Sequence, residues 1–298
     1  MRILLTGTSG QVGAALLPLL EQQGRVFAPG REAFDLSRPD TLAGALDAYS
    51  PDLIVNPAAY TAVDRAEDER ELAFRVNAEA PAVMAQWAAR QGVPMIHLST
   101  DYVFDGSGTA PWREDSEPNP LSVYGASKLA GDRAIIAAAP AHLIVRTSWV
   151  YAATGANFLN TIIRLAGERE ELRIVADQIG VPTSARVIAD TIAGVLSAAQ
   201  GEPARMIERR GGILNVACGG ETSWHGFASA IVERMRARGA ALKCRRIVPI
   251  STAEYPTRAR RPANSRLSLA RLGEVFRLEA TPWTEALARE CEQLAAKA

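Results

Sequence analysis

The chain has 298 residues, of which 48% are hydrophobic, so it carries enough apolar material for a large core. Lysine plus arginine equals aspartate plus glutamate, which argues against nucleic acid or a membrane surface as a partner. Three scattered cysteines and three isolated histidines show no metal-ligand spacing, so we predict no metal site. With no apolar signal segment and no bilayer-length apolar run, we expect a cytoplasmic protein.

The first predicted strand leads into a glycine-rich turn. Residues 1–5 form a short, largely apolar run, Gly7, Gly10 and Gly13 follow, and a helix-like stretch runs over residues 14–20. Strand, tight turn and helix in this order are typical of a dinucleotide-binding loop, where glycines make room for a pyrophosphate at the helix N-terminus. The spacing is G-x-x-G-x-x-G, and glycines also serve ordinary turns, so this stretch favours a cofactor site but does not decide it.

The second predicted strand, "RVFAPG", ends at Gly30 and Arg31. No acidic residue stands where an NAD-specific site would bind the adenosine ribose, whereas Arg31 could meet a 2′-phosphate. We therefore predict NADPH as the cofactor. Glu32 is adjacent, and NADH stays possible.

Alternation of strand and helix patterns continues to Tyr151, through "DLIVNPA", "PMIHLST" and "HLIVRTSWVY". It predicts an α/β fold with a Rossmann-like, doubly wound parallel sheet. Later segments, such as "FASAIVERMRARG" and "KCRRIVPI", predict a smaller C-terminal lobe. We assign residues 1–148 plus about 172–217 to a dinucleotide-binding domain, and about 149–171 plus 218–298 to a substrate-binding lobe.

The segment "VYGASK" places Tyr124 and Lys128 one helical turn apart on one face. A lysine ammonium beside a phenol favours the phenolate, so Tyr124 is a candidate proton donor. Thr100 ends an apolar strand at the sheet edge where α/β folds bind ligands, and could hold a substrate oxygen. Chance occurrence of Tyr-x-x-x-Lys and simple strand-end capping by Thr100 are the alternatives.

These features together resemble the extended short-chain dehydrogenase/reductase superfamily. Within it, "GQVG", "NPAAYTAVDRAE", "STDYVFDG", "VYGASKLAG", "RTSWVY", "DQIGVPT" and "RRPANSRL" resemble, in order and over nearly the whole chain, the dTDP-4-dehydrorhamnose reductases. The resemblance implies NADPH-dependent reduction of the C4 keto group of dTDP-4-dehydro-L-rhamnose. Thr100, Tyr124 and Lys128 would be the catalytic residues.

The resemblance also implies binding roles for further residues. Cofactor contacts would come from Gly7, Gly10, Gln11, Val12, Gly13, Arg31, Asp35, Leu36, Ala58, Ala59, Tyr60, Tyr124 and Lys128. Thr100 and Asp101 would meet the sugar, and Trp149 would pack against it, although Trp149 and Tyr60 could be core aromatics and Asp35 a helix cap.

The run "YPTRARRPANSRL" is rich in arginine. A nucleic-acid-binding protein could use it to contact phosphates. Because the chain has no net positive charge, we favour the diphosphate of a nucleotide as the anion that it binds. The segment resembles the substrate-lobe signature of the family, and we predict that Arg258 and Arg261 contact the substrate.

Two other functions stay open. The chain could be a non-catalytic NADP-binding regulatory subunit, which the presence of Thr100, Tyr124 and Lys128 disfavours, or a reductase or epimerase of another nucleotide sugar. A dehydratase is disfavoured because "STDYVFDG" lacks the Asp-Glu dyad of those enzymes.

Some relatives form metal-bridged dimers through an early glutamate that "GQVGAALLPLL" lacks, so we predict no metal and either a monomer or a homodimer.

Overall fold

The computed structural model describes residues 1–138, 141–199 and 201–295. The strands are β1 (Arg2–Leu5), β2 (Arg25–Phe27), β3 (Leu53–Asn56), β4 (Met95–Thr100), β5 (His142–Thr147), β6 (Val150–Tyr151), β7 (Glu171–Val175), β8 (Ile179–Gly180), β9 (Thr183–Ser184), β10 (Gly212–Asn215), β11 (Thr222–Ser223) and β12 (Arg246–Ile250). The α-helices are α1 (Gln11–Glu21), α2 (Pro39–Tyr49), α3 (Val63–Ala66), α4 (Arg70–Phe74), α5 (Ala80–Gln91), α6 (Val123–Ala138), α7 (Phe158–Glu168), α8 (Ala185–Ala198), α9 (Pro203–Arg210), α10 (Trp224–Ala237), α11 (Ala270–Phe276) and α12 (Trp283–Ala295).

Six parallel strands form the central sheet in the order β2-β1-β3-β4-β5-β10. The chain passes from β1 outward to β2 and then returns to β3 on the other side of β1. The direction of winding therefore reverses between β1 and β3, and the carboxyl ends of these strands diverge there into a crevice. The predicted Rossmann-like fold is confirmed.

Alternate residues of each central strand are buried on opposite faces of the sheet. Ile3 and Leu5 of β1 pack with α1 and α8, whereas Leu4 between them packs with α2 and α5. Side chains of a strand alternate with period two, so a strand that is covered on both faces is apolar throughout. This explains why the segments "RILL" and "LIV" carry no polar alternation.

A separate apolar cluster lies beside the sheet. It joins α7, α10 and α12 with the two-stranded sheet of β7 and β12, and Tyr151, Leu159 and Phe227 are fully buried in it. Helix α11 belongs instead to the core of the central sheet, through Leu272 and Phe276. The division into a dinucleotide-binding domain and a substrate-binding lobe stays a prediction.

The pattern of residues 69–92 predicts one helix, but the structure interrupts it with a π-helical turn over Arg75–Glu79. Pro81 follows two residues later, and because proline has no N–H and its ring collides with the carbonyl one turn earlier, a wider turn relieves that contact. The helix ends, as predicted, at Gly92 in the left-handed conformation, with φ at 67°.

Within the described residues, every helix is too short or too polar to cross a membrane.

Candidate active site

A cleft of about 1070 Å³ opens at the carboxyl ends of β1, β3, β4 and β5. Its lining includes every residue predicted for the catalytic and cofactor roles and three of the five predicted for the substrate: Gly7, Gly10, Gln11, Val12, Gly13, Arg31, Asp35, Leu36, Ala58, Ala59, Tyr60, Thr100, Tyr124, Lys128, Asp101 and Trp149. Trp224, the first residue of α10, closes one side of the cleft. The structure thus brings residues from distant parts of the chain into one site.

The glycine loop between β1 and α1 has the shape of an anion cradle. Gly7 adopts φ +61°, and a Cβ at Gly13 would lie 2.1 Å from the Gly7 carbonyl oxygen, so a side chain at Gly13 would force the loop apart. Within the described residues of α1, no side chain caps the helix at Gly10 and the first turn holds no acid. The free N–H groups of this turn face the cleft, which fits a dinucleotide pyrophosphate.

Arg31 lies at the end of the cleft that is formed by the loop after β2. Its side chain is 78% exposed, and its Nε lies 3.5 Å from a carboxylate oxygen of Asp35. Burial raises the pKa of Asp35, but hydrogen bonds from Ser37 and the charge of Arg31 outweigh it, so this pKa lies below its usual value. Asp35 is therefore an anion that is already bonded to the protein, and the exposed Arg31 is open to a phosphate.

Tyr60 is held beside the cofactor side of the cleft by Asn77. The Asn77 side chain accepts a hydrogen bond from the Tyr60 N–H at 2.8 Å and donates to the Tyr60 carbonyl at 3.0 Å and to Ser127 at 3.0 Å. The Tyr60 hydroxyl donates to Glu69 at 2.6 Å. Hydrogen bonds thus hold both the backbone and the side chain of Tyr60 in the loop after β3, which fixes Ala58 and Ala59 along the cleft.

Thr100 and Tyr124 both line the cleft, and their hydroxyl groups lie close enough for Thr100 to affect the pKa of the Tyr124 phenol. Burial raises the pKa of Tyr124 above its usual value, the Thr100 hydroxyl opposes this, and the carboxylates of Asp101 and Asp132 add to it. The phenol is therefore protonated at neutral pH. It is ready to donate a proton.

Lys128 departs from the simple expectation that it faces the Tyr124 phenol. Its Nζ is buried, donates to the Leu98 carbonyl at 2.6 Å and lies 3.1 Å from the His97 ring. Burial lowers the pKa of Lys128 to about 8, against the charge of Asp132. The ammonium thus points beneath the cleft floor because β4 offers it a backbone oxygen there.

Trp149 sits at the opposite end of the cleft from Arg31 and stacks on Trp224 with ring centroids 3.7 Å apart. Its backbone φ is +46°, a conformation that costs a bulky residue about 1–3 kcal/mol. Gly180 makes room for the ring, since a Cβ there would lie 2.7 Å from it. The two half-buried indoles form a flat apolar wall suited to a sugar or base ring.

Asp101 is buried beside Thr100, whose hydroxyl donates to its Oδ1 at 3.1 Å. Among the described residues, its Oδ2 has no hydrogen-bond partner. Burial raises the pKa of this carboxyl to about 6. An unpartnered buried oxygen on the cleft wall is suited to a hydroxyl group of a bound sugar.

We expect the stability of the Asp101→Asn variant, relative to the wild type, to rise with pH. The folded-state pKa lies above the ordinary 3.8, so ionised Asp101 destabilises the fold, increasingly from about pH 4 and fully above about pH 6. The free energy of unfolding of the variant minus that of the wild type should increase by about 1–2 kcal/mol between about pH 5 and pH 8. Urea titrations at both values measure it.

Asp105→Asn is the matched control. Hydrogen bonds from Ser107 and Asn119 hold the pKa of Asp105 below its usual value, so this carboxyl is ionised in both folded and unfolded chains above about pH 5. The difference in free energy of unfolding between Asp105→Asn and the wild type should not change with pH. If the difference for Asp101→Asn were also independent of pH, the pKa of Asp101 would not be raised in the folded protein.

Arg258 and Arg261 lie outside the cleft lining. Arg261 makes two contacts with the Asp64 carboxylate, at 2.7 and 3.2 Å, and Arg258 pairs with Asp68. The arginine-rich segment is thus fastened to α3 and the turn after it. Its contact with the substrate stays a prediction.

Comparison with known proteins gives the family. The sequence matches the RmlD substrate binding domain over residues 1–296. The chain belongs to this family. It is 49% identical to a dTDP-4-dehydrorhamnose reductase of Burkholderia thailandensis, over 96% of the chain and 97% of the relative. The resemblance that the motifs indicated is confirmed.

Solved structures agree with the RmlD assignment. A dTDP-4-dehydrorhamnose reductase of Clostridium acetobutylicum superposes with a TM-score of 0.89 at 33% identity, covering 99% of each chain. The Bacillus anthracis dTDP-4-dehydrorhamnose reductase in complex with NADP superposes with a TM-score of 0.87 at 32% identity, over 98% of this chain and 99% of that one.

Sequence reasoning missed several residues of this RmlD-family site. Trp224 lines the cleft, and Asn77 holds Tyr60 from behind it, yet both come from segments whose patterns indicate only a helix. Asn56 and His97 stand as polar residues inside otherwise apolar strands, "LIVN" and "MIHL", and that irregularity was the available clue. A polar side chain that is fully buried in a parallel sheet needs a partner.

Proposed function

We propose that this protein reduces the C4 keto group of dTDP-4-dehydro-L-rhamnose to give dTDP-L-rhamnose, with NADPH as the reductant. The observation that carries the proposal is the meeting of Thr100 and Tyr124 in the cleft that the glycine loop opens onto. A hydride acceptor and a proton donor have to lie beside the same cofactor, and this cleft provides for both. The relatives with this name, at up to 49% identity, support the same activity.

The residues present fit a bound dinucleotide. The glycine loop leaves a space that any side chain at Gly13 would fill, and the first turn of α1 carries free N–H groups that can bind a phosphate. Bound NADPH supplies the hydride. Thr100 orients the carbonyl of the sugar by a hydrogen bond, and Tyr124 delivers its proton to the oxygen as negative charge develops there. Lys128 lies beneath, where its positive charge stabilises the phenolate that Tyr124 becomes.

The remaining residues of the cleft position the substrate. Trp149 and Trp224 pack against its rings and exclude water, and Asp101 accepts a hydroxyl of the sugar with its free Oδ2. Arg258 and Arg261, which are held by Asp68 and Asp64 outside the cleft lining, would contact the diphosphate of the substrate. We place the reaction in the cytoplasm and expect a monomer or a homodimer.

The test is NADPH oxidation by the purified protein with dTDP-4-dehydro-L-rhamnose, followed by absorbance, with a 4-keto sugar on UDP as the comparison. We expect rapid turnover only with the dTDP sugar. Tight NADPH binding without turnover would favour a regulatory subunit instead, and turnover only with the UDP sugar would favour a reductase of another nucleotide sugar.

Replacement of Arg31 tests the cofactor assignment. The exposed guanidinium lines the cleft, whereas the adjacent Glu32 does not, so Arg31 is placed to meet a 2′-phosphate. We expect Arg31→Ala to raise the KM for NADPH about tenfold, since a charge-assisted hydrogen bond contributes about 1.5–3 kcal/mol, and to leave the KM for NADH within about twofold. Steady-state kinetics with both cofactors measure it, with Arg25→Ala, on the preceding strand, as control. Equal losses for both cofactors would contradict the assignment.

A further inference from the structure

A continuous chain of buried polar side chains runs beneath the cleft. The Ala58 N–H donates to Thr6 Oγ1 at 3.3 Å, Thr6 Oγ1 lies 2.6 Å from Asn56 Oδ1, Asn56 Nδ2 lies 3.0 Å from His97 Nδ1, and His97 Nε2 lies 3.1 Å from Lys128 Nζ. All four side chains are at most 3% exposed. The chain connects the cofactor loop after β1 with the lysine of the active site.

The surroundings of Lys128 leave His97 as its second hydrogen-bond partner. Leu98 offers a carbonyl oxygen at 2.6 Å, which takes one N–H of the lysine. The charged group that acts on Lys128 is Asp132, one turn along α6, which is itself paired with Arg146 of β5 at 3.5 Å. Tyr124 lies one turn earlier on α6. The charge of the lysine therefore limits what His97 Nε2 can do: opposite an ammonium it must accept, whereas opposite a neutral amine, which has a lone pair, it can also donate.

With the Asn56 amide in the orientation given above, only one arrangement of protons satisfies the chain. Thr6 already accepts from Ala58 and donates its hydrogen to Asn56 Oδ1. Asn56 Nδ2 then donates to His97 Nδ1, so the imidazole proton resides on Nε2. That N–H points at Lys128 Nζ, which can accept it only as a neutral amine.

The opposite arrangement suits a charged lysine. An ammonium has no lone pair and must donate to His97 Nε2, so the imidazole proton moves to Nδ1. Asn56 then presents its oxygen to that N–H after a half-turn of its amide, whose oxygen and nitrogen occupy the same space in either orientation. Thr6 becomes an acceptor from both neighbours, and its own hydrogen is released toward the cleft.

We propose that His97 is a positioning residue for Lys128 and that its neutral imidazole changes tautomer when Lys128 changes charge, with Asn56 and Thr6 following. An amide does not conduct protons, so the chain orients the lysine and does not supply the reaction with protons. The tautomer change stands on the geometry alone, whereas its consequence for turnover rests on the proposed function. Turnover requires the ammonium, and hence the Nδ1–H tautomer of His97.

The expected pH range follows from the burial of both groups. Burial and the charge of Lys128 hold the pKa of His97 well below its usual value, so the ring stays neutral and responds to its neighbour by changing tautomer. Burial lowers the pKa of Lys128 to about 8. The switch should therefore occur near pH 8.

Nitrogen-15 NMR of the ligand-free protein with labelled histidine tests this without any turnover. The chain has three histidines, and the His142→Gln and His225→Gln variants assign their signals by elimination. We expect His97 to pass from the Nδ1–H to the Nε2–H tautomer between about pH 6 and pH 10. His225 is the internal control, because its Nε2 faces the Ile247 carbonyl at 3.1 Å and must keep its proton. A single His97 tautomer throughout, or an imidazolium, would overturn the proposal.

Kinetics separate positioning from simple packing. In His97→Leu the lysine ammonium loses its acceptor, so the fall of kcat on the alkaline side of its pH profile should move to lower pH. We expect kcat to lie about threefold to tenfold below wild type at about pH 8 and to be nearly unchanged at about pH 6. In His97→Gln the amide oxygen replaces Nε2 as acceptor, so most of the wild-type kcat on the alkaline side of the pH profile should be restored. A uniform loss of kcat at all pH values in both variants would show a merely structural role and overturn the proposal. Absence of turnover in the wild type would overturn the proposed function and leave the NMR result standing.

Discussion

The Tyr124→Phe variant is expected to lose about 10²–10⁴-fold in kcat while its Kd for NADPH stays within about twofold of the wild type. The substitution removes only the hydroxyl that faces Thr100, and the ring keeps its place against Tyr102, with centroids 5.5 Å apart. A carbonyl oxygen that receives a hydride without a proton must form an alkoxide in a buried site, which is costly. Steady-state kinetics and a cofactor titration on the same preparation measure both quantities.

Tyr102→Phe is the matched control, because its half-buried ring is the edge-on neighbour of Tyr124. We expect it to change kcat by less than about tenfold. If Tyr124→Phe retained more than a tenth of the wild-type kcat, or if Tyr102→Phe lost as much, another group would have to be the proton donor.

Arg146→Met is expected to destabilise the fold by about 3–5 kcal/mol. Arg146 and Asp132 are at most 2% exposed, and the Arg146 Nε lies 3.5 Å from the Asp132 carboxylate, which also accepts from Ser99 at 2.8 Å. Burial raises the pKa of this carboxyl, and without Arg146 only the charge of Lys128 and the hydrogen bond from Ser99 oppose that effect. Urea unfolding at neutral pH measures the loss.

Two further variants separate charge from packing. Arg146→Met combined with Asp132→Asn removes the unpaired charge as well, and should recover at least half of the loss. Arg164→Met breaks the exposed pair with Glu168 and should change stability by about 0.5 kcal/mol or less. A double variant as unstable as Arg146→Met would show that packing of the arginine, and not its charge, accounts for the effect.

Local features of the sequence predict the sheet and the cofactor side of the cleft because they depend on short-range sterics. The glycines at positions 7 and 13 are needed where a Cβ would strike Ala58 or the loop itself, and the apolar strands are covered on both faces. Such constraints act within a few residues or repeat with a fixed period. They can therefore be recognised from the amino-acid sequence alone.

Tertiary pairing could not be predicted in the same way. The chain of Thr6, Asn56, His97 and Lys128 exists only because β1, β3 and β4 are neighbours in the sheet and α6 packs over them. The direction of Lys128, toward Leu98 and His97, depends on that packing and not on its spacing from Tyr124. The arginine-rich segment likewise met carboxylates nearly 200 residues away, Asp64 and Asp68, that no local pattern connects with it.

The most direct test of the central claim is the transfer of deuterium from NADPH labelled at the nicotinamide C4. The purified protein is incubated with dTDP-4-dehydro-L-rhamnose and NADPH that carries deuterium at both C4 positions, so that either face delivers the label, and proton NMR locates the label in the sugar product. The account predicts deuterium at C4 of dTDP-L-rhamnose, one atom for each NADPH consumed, and almost none with Tyr124→Phe. Product without deuterium at C4, or labelled NADPH left unconsumed while it is bound, would contradict it.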